Sequence, residues 1–261
     1  MAKQNCGNHT PIAGRNTMKE SFEKKYHEIE KNHFWFKARR QYILQYLKNC
    51  PRNSRILDIG SSSGILLNEL AEMGFERSNL YGVDISANAI RNCKENGIQN
   101  AFVMDAQNIT LEQKFDIIIA SDCLEHLKDD EKALKNWNSL LKADGTLLVF
   151  VPALMALWSE HDVENMHFRR YTKTELETKL KQNGFQISKA SYWNFFLFLP
   201  IYAVRLLSRL NLFKKGKTGD LEDEMKFNSL FYNLINSENK LLKYINLPIG
   251  VSTYCIAKKQ A

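Results

Sequence analysis

The sequence predicts an α/β fold: a doubly wound, largely parallel sheet of seven strands, the last one antiparallel. Three observations predict it. Short apolar runs alternate with helical patterns along residues 55–151, the order in which βα units feed a parallel sheet. The run Phe115-Asp-Ile-Ile-Ile-Ala120 is apolar, as a strand buried on both faces should be. The strand ending at Ile59 enters a turn of small residues that opens directly into an apolar helix.

The elements follow in order. Residues 1–16 are polar and expected to be a disordered tail, and 17–47 carry a helical pattern interrupted by His33-Phe34-Trp35-Phe36. Together, residues 1–50 make a tail and a helical cap. The core, 51–194, holds strands at 55–59, 80–84, 100–104, 115–120 and 146–151, the last after an Asp144-Gly145 turn. Thr172 caps a helix over 173–182, with Glu175 closing a capping box. Gly184 ends it, and strand six runs over 185–192. A last strand, 252–258 within the final segment 251–261, pairs with strand six. Between them, 195–250 reads as a helical insert where a hairpin would suffice. It holds a dense apolar run at 195–204, then Arg205, Arg209, Lys214, Lys215 and Lys217, then an amphipathic helix over 221–244.

The turn after strand one reads D-x-G-x-S-x-G, from Asp58 through Gly60 and Ser62 to Gly64. Glycines there let the backbone turn tightly and approach a ligand, and the helix start offers free N–H groups. Asp84, ending strand two, is placed to meet a ribose diol. A nicotinamide fingerprint fails, because its second and third glycine positions hold Ser62 and Ile65. An acid ahead of the first glycine suits a ligand with a cationic end better than a pyrophosphate. The pattern resembles motif I of the class I S-adenosylmethionine-dependent methyltransferases, with Ser62 in place of the commoner middle glycine. That resemblance implies a Rossmann-like sheet with S-adenosylmethionine (SAM) as cofactor. It also implies cofactor contacts at Asp58, Gly60, Ser62, Gly64, Asp84 and Ile85, with Asp105-Ala106 near the adenine and Ser121 at the end of strand four. Ser121-Asp-Cys-Leu-Glu-His-Leu127 resembles the family's segment after that strand, with His126 read as a structural hydrogen-bonder.

Methyl transfer to oxygen benefits from a general base, and histidine is the usual one. After strand five come His161, Asp162 and His167 as catalytic candidates, and Arg169 and Arg170 as a clamp for an anionic group. Trp35, Trp158 and Tyr171 join them as candidate substrate contacts. The string W-S-E-H-D…H-F-R-R-Y resembles a subgroup associated with bacterial glycan and lipid-linked saccharide synthesis. The expectation is therefore O-methylation of a saccharide or lipid-linked intermediate. The alternatives are a quinone-like or other aromatic acceptor, or a SAM-binding regulator without catalysis.

Composition narrows the classes. At 44% hydrophobic and 25% charged, the chain of 261 residues is long enough for one α/β core with embellishments. Five scattered cysteines, odd in number and without a C-x-x-C pair, fit reduced thiols and no zinc framework, so no metal is expected. The start of the chain has no apolar signal region, which points to the cytoplasm. A net charge of +7, with the apolar run and cations of 195–217, raises peripheral contact with the inner face of a membrane. After strand four there is no Asn/Asp-Pro-Pro-aromatic motif, and no Pro-Cys pair occurs anywhere, so nucleic acid is not expected as substrate. Oligomerisation is left open.

Overall fold

A computed structural model describes residues 30–209 and 228–260. The tail expected at 1–16, the helical pattern before residue 30, Lys214, Lys215, Lys217 and the start of the 221–244 helix lie outside the described residues. The seven strands are β1 (Ile56–Ile59), β2 (Leu80–Asp84), β3 (Asn100–Val103), β4 (Phe115–Ser121), β5 (Leu141–Pro152), β6 (Phe185–Trp193) and β7 (Ser252–Lys259). They form one sheet in the order β3-β2-β1-β4-β5-β7-β6. All pairs are parallel except those of β7, which runs antiparallel to both β5 and β6.

The register decides where a ligand can sit. Ile59 is level with Val83 on one side and Ala120 on the other, and Asp84 is level with Val103. The carboxyl ends of β1 to β4 therefore open on one edge. Chain order reverses between β1 and β4, the switch point at which such sheets bind ligands.

Sequence expectation and structure agree on β2 and on the helix over Lys173–Gln182, where Thr172 and Glu175 form the expected capping box. β5 differs. It starts at Leu141, because Phe115 pairs with Leu141 while Ile117 pairs with Thr146, and residues 142–145 are accommodated at that irregularity. Asp144, at φ 59°, bends the strand instead of preceding it.

Eight α-helices cover the sheet among the described residues: α1 (Phe34–Leu47), α2 (Ile65–Glu72), α3 (Ala87–Glu95), α4 (Asp130–Leu140), α5 (Glu160–Glu164), α6 (Lys173–Gln182), α7 (Phe198–Arg209) and α8 (Asn228–Leu241). The aromatic cluster starts α1, since His33 is its N-cap and accepts a bond from the Trp35 N–H. Phe34, Ala38 and Ile43 are buried against the sheet, and Tyr42 donates its hydroxyl proton to Tyr254 on β7. Gly64, at φ 76°, begins α2 where a Cβ would lie 2.5 Å from Cys93 Sγ, so only glycine permits that packing.

The insert is fastened from within. Asn239 on α8 accepts the Trp193 indole N–H at 2.8 Å and donates to the Ala38 carbonyl at 2.8 Å, joining β6 to α1. Glu238 accepts backbone N–H bonds from Asn194, Phe195 and Phe196 at 2.5, 2.8 and 3.3 Å. On α7, Phe198 is buried beside Leu157 and Val251, whereas Leu199 is 71% exposed and Val204 and Leu206 also face outward. No helix among the described residues is long and apolar enough to cross a membrane.

Candidate active site

A cavity of about 570 Å³ opens at the carboxyl ends of β1 to β4. Its floor is the turn after β1. Gly60 (φ 75°) and Ser61 donate their N–H groups to the Val83 carbonyl, which pins the turn against β2. Ser62 (φ 48°) donates its N–H to Asp84 Oδ2 at 3.0 Å, and Ser86 donates to Oδ1 at 2.9 Å. Backbone donors from two loops therefore aim the Asp84 carboxylate. Asp58 is buried, and burial pushes its carboxyl up to about 8, with the negative charges of Glu30 and Asp84 adding to the rise. Glu30 reaches over from the cap and accepts the Ser62 hydroxyl proton at 2.7 Å.

Of the nine residues expected to meet the cofactor, Asp58, Gly60, Ser62, Asp84, Ile85, Asp105, Ala106 and Ser121 line this one cavity. Gly64 stands behind it, at the α2 start. This wall fits SAM: glycine backbone at the floor, a carboxylate at the β2 end, and an acid-rich end suited to a sulfonium and an ammonium. A pyrophosphate would be repelled by the same acids.

The far side of the cavity, over β4 and β5, has a different character. Phe36, Met166, Phe168 and His126 line it, with Arg39 paired to Asp122 at 2.5 Å. Phe168 donates its N–H to the Glu125 carbonyl at 2.8 Å, which fastens the segment after β5 onto the short turn after β4. That bond brings His167 to His126, with ring centroids 4.6 Å apart and nearly perpendicular. His126 is held down to about 4 by burial among protein atoms and by His167, although the ring is accessible from the cavity. It is therefore neutral at pH 7. Behind them Glu125 is wholly buried, with neither carboxylate oxygen hydrogen-bonded among the described residues. Burial, then the charge of Asp122, pushes its pKa well above the usual range.

The expected catalytic trio divides. Asp162 is wholly buried and saturated. It accepts from His167 Nδ1 at 2.9 Å, from Arg170 Nε at 2.7 Å and Nη2 at 3.1 Å, and from the Ser159 N–H at 2.8 Å. Burial opposes its charge, but the bonds from His167 and Arg170 outweigh it and hold the carboxyl well below its usual range. Asp162 thus orients His167 and takes up no proton near neutrality. His161 is exposed, lies outside the cavity wall and has Nε2 against Asn165 at 3.1 Å.

The expected substrate contacts also find other partners. Arg170 serves Asp162 and the Ala153 carbonyl. Arg169 pairs with Asp130 at 2.9 Å and the Lys128 carbonyl at 2.7 Å, and the buried Tyr171 donates to Asp130 at 2.9 Å. Trp35 packs edge-on against Trp193, and the Trp158 carbonyl accepts from Arg209. None of these five lines the cavity. Glu30, Phe36, Arg39 and Phe168 line it instead, and residue type alone gave no sign of that. The one available hint was the aromatic cluster itself: Phe36 ends it, and Arg39 follows on the same helix.

A family model described as a methyltransferase domain matches residues 31–190. A ubiquinone biosynthesis O-methyltransferase of Haemophilus ducreyi is 27% identical over 106 residues, covering 36% of this chain and 44% of that protein. The chain spans less than half the length of the curated relatives it matches. Among solved structures, a SAM-dependent methyltransferase from Archaeoglobus fulgidus superposes with TM-score 0.57 at 23% identity, over 90% of this chain and 99% of that one. A phosphoethanolamine N-methyltransferase of Haemonchus contortus in complex with SAM gives 0.53 at 22%, over 85% and 52%.

Proposed function

The chain belongs to the methyltransferase-domain family, and on that premise we propose that it methylates a hydroxyl oxygen of a quinone-like or other aromatic small molecule. The observation that carries this reading is the two-sided cavity: acids and backbone over β1 to β3, aromatic and imidazole groups over β4 and β5. On the first side Asp58, with Glu30 beside it, faces the cationic end of the cofactor. Asp84 holds the ribose and Asp105 the adenine. Bound there, SAM supplies an electrophilic methyl group. On the second side Phe36, Met166 and Phe168 sandwich a flat acceptor and exclude water, and the imidazole of His126, with His167 packed against it, activates its hydroxyl. The name of the Haemophilus ducreyi relative supports an aromatic, quinone-like acceptor over a saccharide.

The saccharide or lipid-linked reading keeps one observation of its own. Leu199, Val204 and Leu206 on α7 present apolar surface beside Arg205 and Arg209, as a peripheral lipid contact would require. Salt-sensitive sedimentation with anionic vesicles, lost on Leu199→Asp, is the expected outcome of that reading. Absence of sedimentation removes it.

The acceptor reading is tested by incubating the protein with methyl-labelled SAM and a cell extract, and identifying the labelled product by mass. An aromatic ether is expected. A labelled sugar or amine would overturn the acceptor class. Calorimetry should show SAM and S-adenosylhomocysteine binding without NAD binding.

A further inference from the structure

We propose that Arg39, seconded by Lys128, forms a carboxylate-binding subsite on the acceptor side of the cavity, so that the methyl acceptor is an aromatic hydroxy acid. The subsite rests on the proposed transfer to an aromatic hydroxyl and narrows its substrate class. Phe36, Arg39, Arg40 and Ile43 all line the cavity. Their spacing of three and four residues puts them on one face of α1, turned toward the ligand space.

Arg39 is buried yet unsatisfied. It is 5% exposed, and none of its nitrogens makes a hydrogen bond among the described residues. Asp122 Oδ2 lies 2.5 Å from Nη1, close enough to balance charge but outside hydrogen-bond geometry. Two other buried arginines use all their nitrogens. Arg40 gives Nε to Glu69 and its two Nη groups to the Glu30 and Lys31 carbonyls. Arg170 gives Nε and Nη2 to Asp162 and Nη1 to the Ala153 carbonyl. A buried guanidinium with idle donors is costly unless a ligand takes them up.

The neighbours decide the chemistry of that ligand. The guanidinium lies over the Phe36 ring, 5.5 Å from its centroid. An acceptor ring held by Phe36 thus has a planar fork of donors beside it, and a carboxylate matches that fork. Lys128 adds a second cation from the loop after β4. It is exposed, lines the same cavity, and its ammonium has no partner among the described residues. Asp122, at φ 51° where a non-glycine residue is strained, keeps its carboxylate beside Arg39. Two cations and one anion leave the subsite a single positive charge, which suits a carboxylate better than a doubly charged phosphate. With the acid end anchored, the ring hydroxyl is left to His126 on the same side of the cavity. The subsite binds and orients, and takes no part in making or breaking bonds.

The test is calorimetric titration of the protein, loaded with S-adenosylhomocysteine, with 4-hydroxybenzoate and with its neutral isostere 4-hydroxybenzamide. The 3-hydroxy pair is titrated in the same way. In at least one pair the acid should bind about tenfold or more tighter than the amide. Arg39→Met should bring that ratio to within about threefold of one, and Lys128→Met should lower it at least about threefold. Lys128 is exposed, so its variant decides the matter where Arg39→Met no longer binds S-adenosylhomocysteine. Equal binding of acid and amide, or a ratio that survives in every variant that still binds S-adenosylhomocysteine, overturns the carboxylate subsite and leaves the aromatic acceptor standing. Binding of neither acid nor amide to the loaded protein overturns the aromatic acceptor as well.

Discussion

Glu238 and Glu125 are both wholly buried carboxylates, and their surroundings differ completely. Glu238 accepts three backbone N–H bonds from Asn194, Phe195 and Phe196, where β6 hands over to the insert. Glu125 has no hydrogen bond to either oxygen and faces two imidazoles beside a cavity. Burial is the main cause that raises both pKa values, so titration behaviour does not separate them. Satisfaction does. A buried acid whose acceptors are all used holds the fold, whereas one whose acceptors are idle is held by the fold for something else.

The largest expected effects lie at the unsatisfied end. His126→Ala and His167→Ala should each slow methyl transfer by roughly 10²–10⁴-fold while SAM affinity stays within about twofold. Single-turnover rates with labelled SAM check this, and a loss under tenfold in both would dissolve the contrast. Glu238→Ala strands three N–H groups and should cost about 2–4 kcal/mol in urea unfolding. Its transfer rate per folded molecule should be unchanged. Asp84→Ala removes a carboxylate that loop N–H groups already aim, and should weaken SAM binding by about 1–3 kcal/mol in calorimetry.

A fourth expectation concerns pH. Asp58 is pushed up to about 8 in the folded protein, so at pH 7 it is largely protonated. A cationic ligand prefers the ionised form, and binding must first expel that proton. SAM affinity should therefore rise between pH 6 and 8, by at most about tenfold per unit, and level off above 8. Asp58→Asn should flatten the profile. A wild-type affinity that falls over the same range would contradict the placement of the cationic end. The smallest effect belongs to Asp116, a surface acid paired with Lys142 at 2.8 Å. Lys142→Ala should shift stability by less than about 1 kcal/mol, because water replaces the partner.

The cofactor side was legible in the sequence because its chemistry is local. Asp58 lies near the end of β1 with Gly60 and Ser62 on the turn that follows directly, and Asp84 ends a strand whose bounds the pattern predicts. The acceptor side was not. Glu125 and His126 look like ordinary residues after β4 until the Phe168 N–H bond brings His167 beside them. Arg169 and Arg170 were visible as a cationic pair, but their partners, Asp130 and Asp162, are fixed only by tertiary packing. The start of β5 escaped for a similar reason: Asp144-Gly145 has turn chemistry, and pairing with β4 overrides it.

One paired measurement tests the central claim most directly. Glu125→Gln and Glu238→Gln change the same atoms in two equally buried places. Each variant is followed by calorimetric melting and by methyl transfer from labelled SAM into a cell extract. The contrast predicts that Glu238→Gln melts several degrees lower yet transfers normally per folded molecule. Glu125→Gln should melt close to the wild type and transfer at least about 10²-fold more slowly. If Glu125→Gln instead melts as early as Glu238→Gln and keeps its transfer rate, Glu125 is a structural acid and the acceptor side has been misassigned.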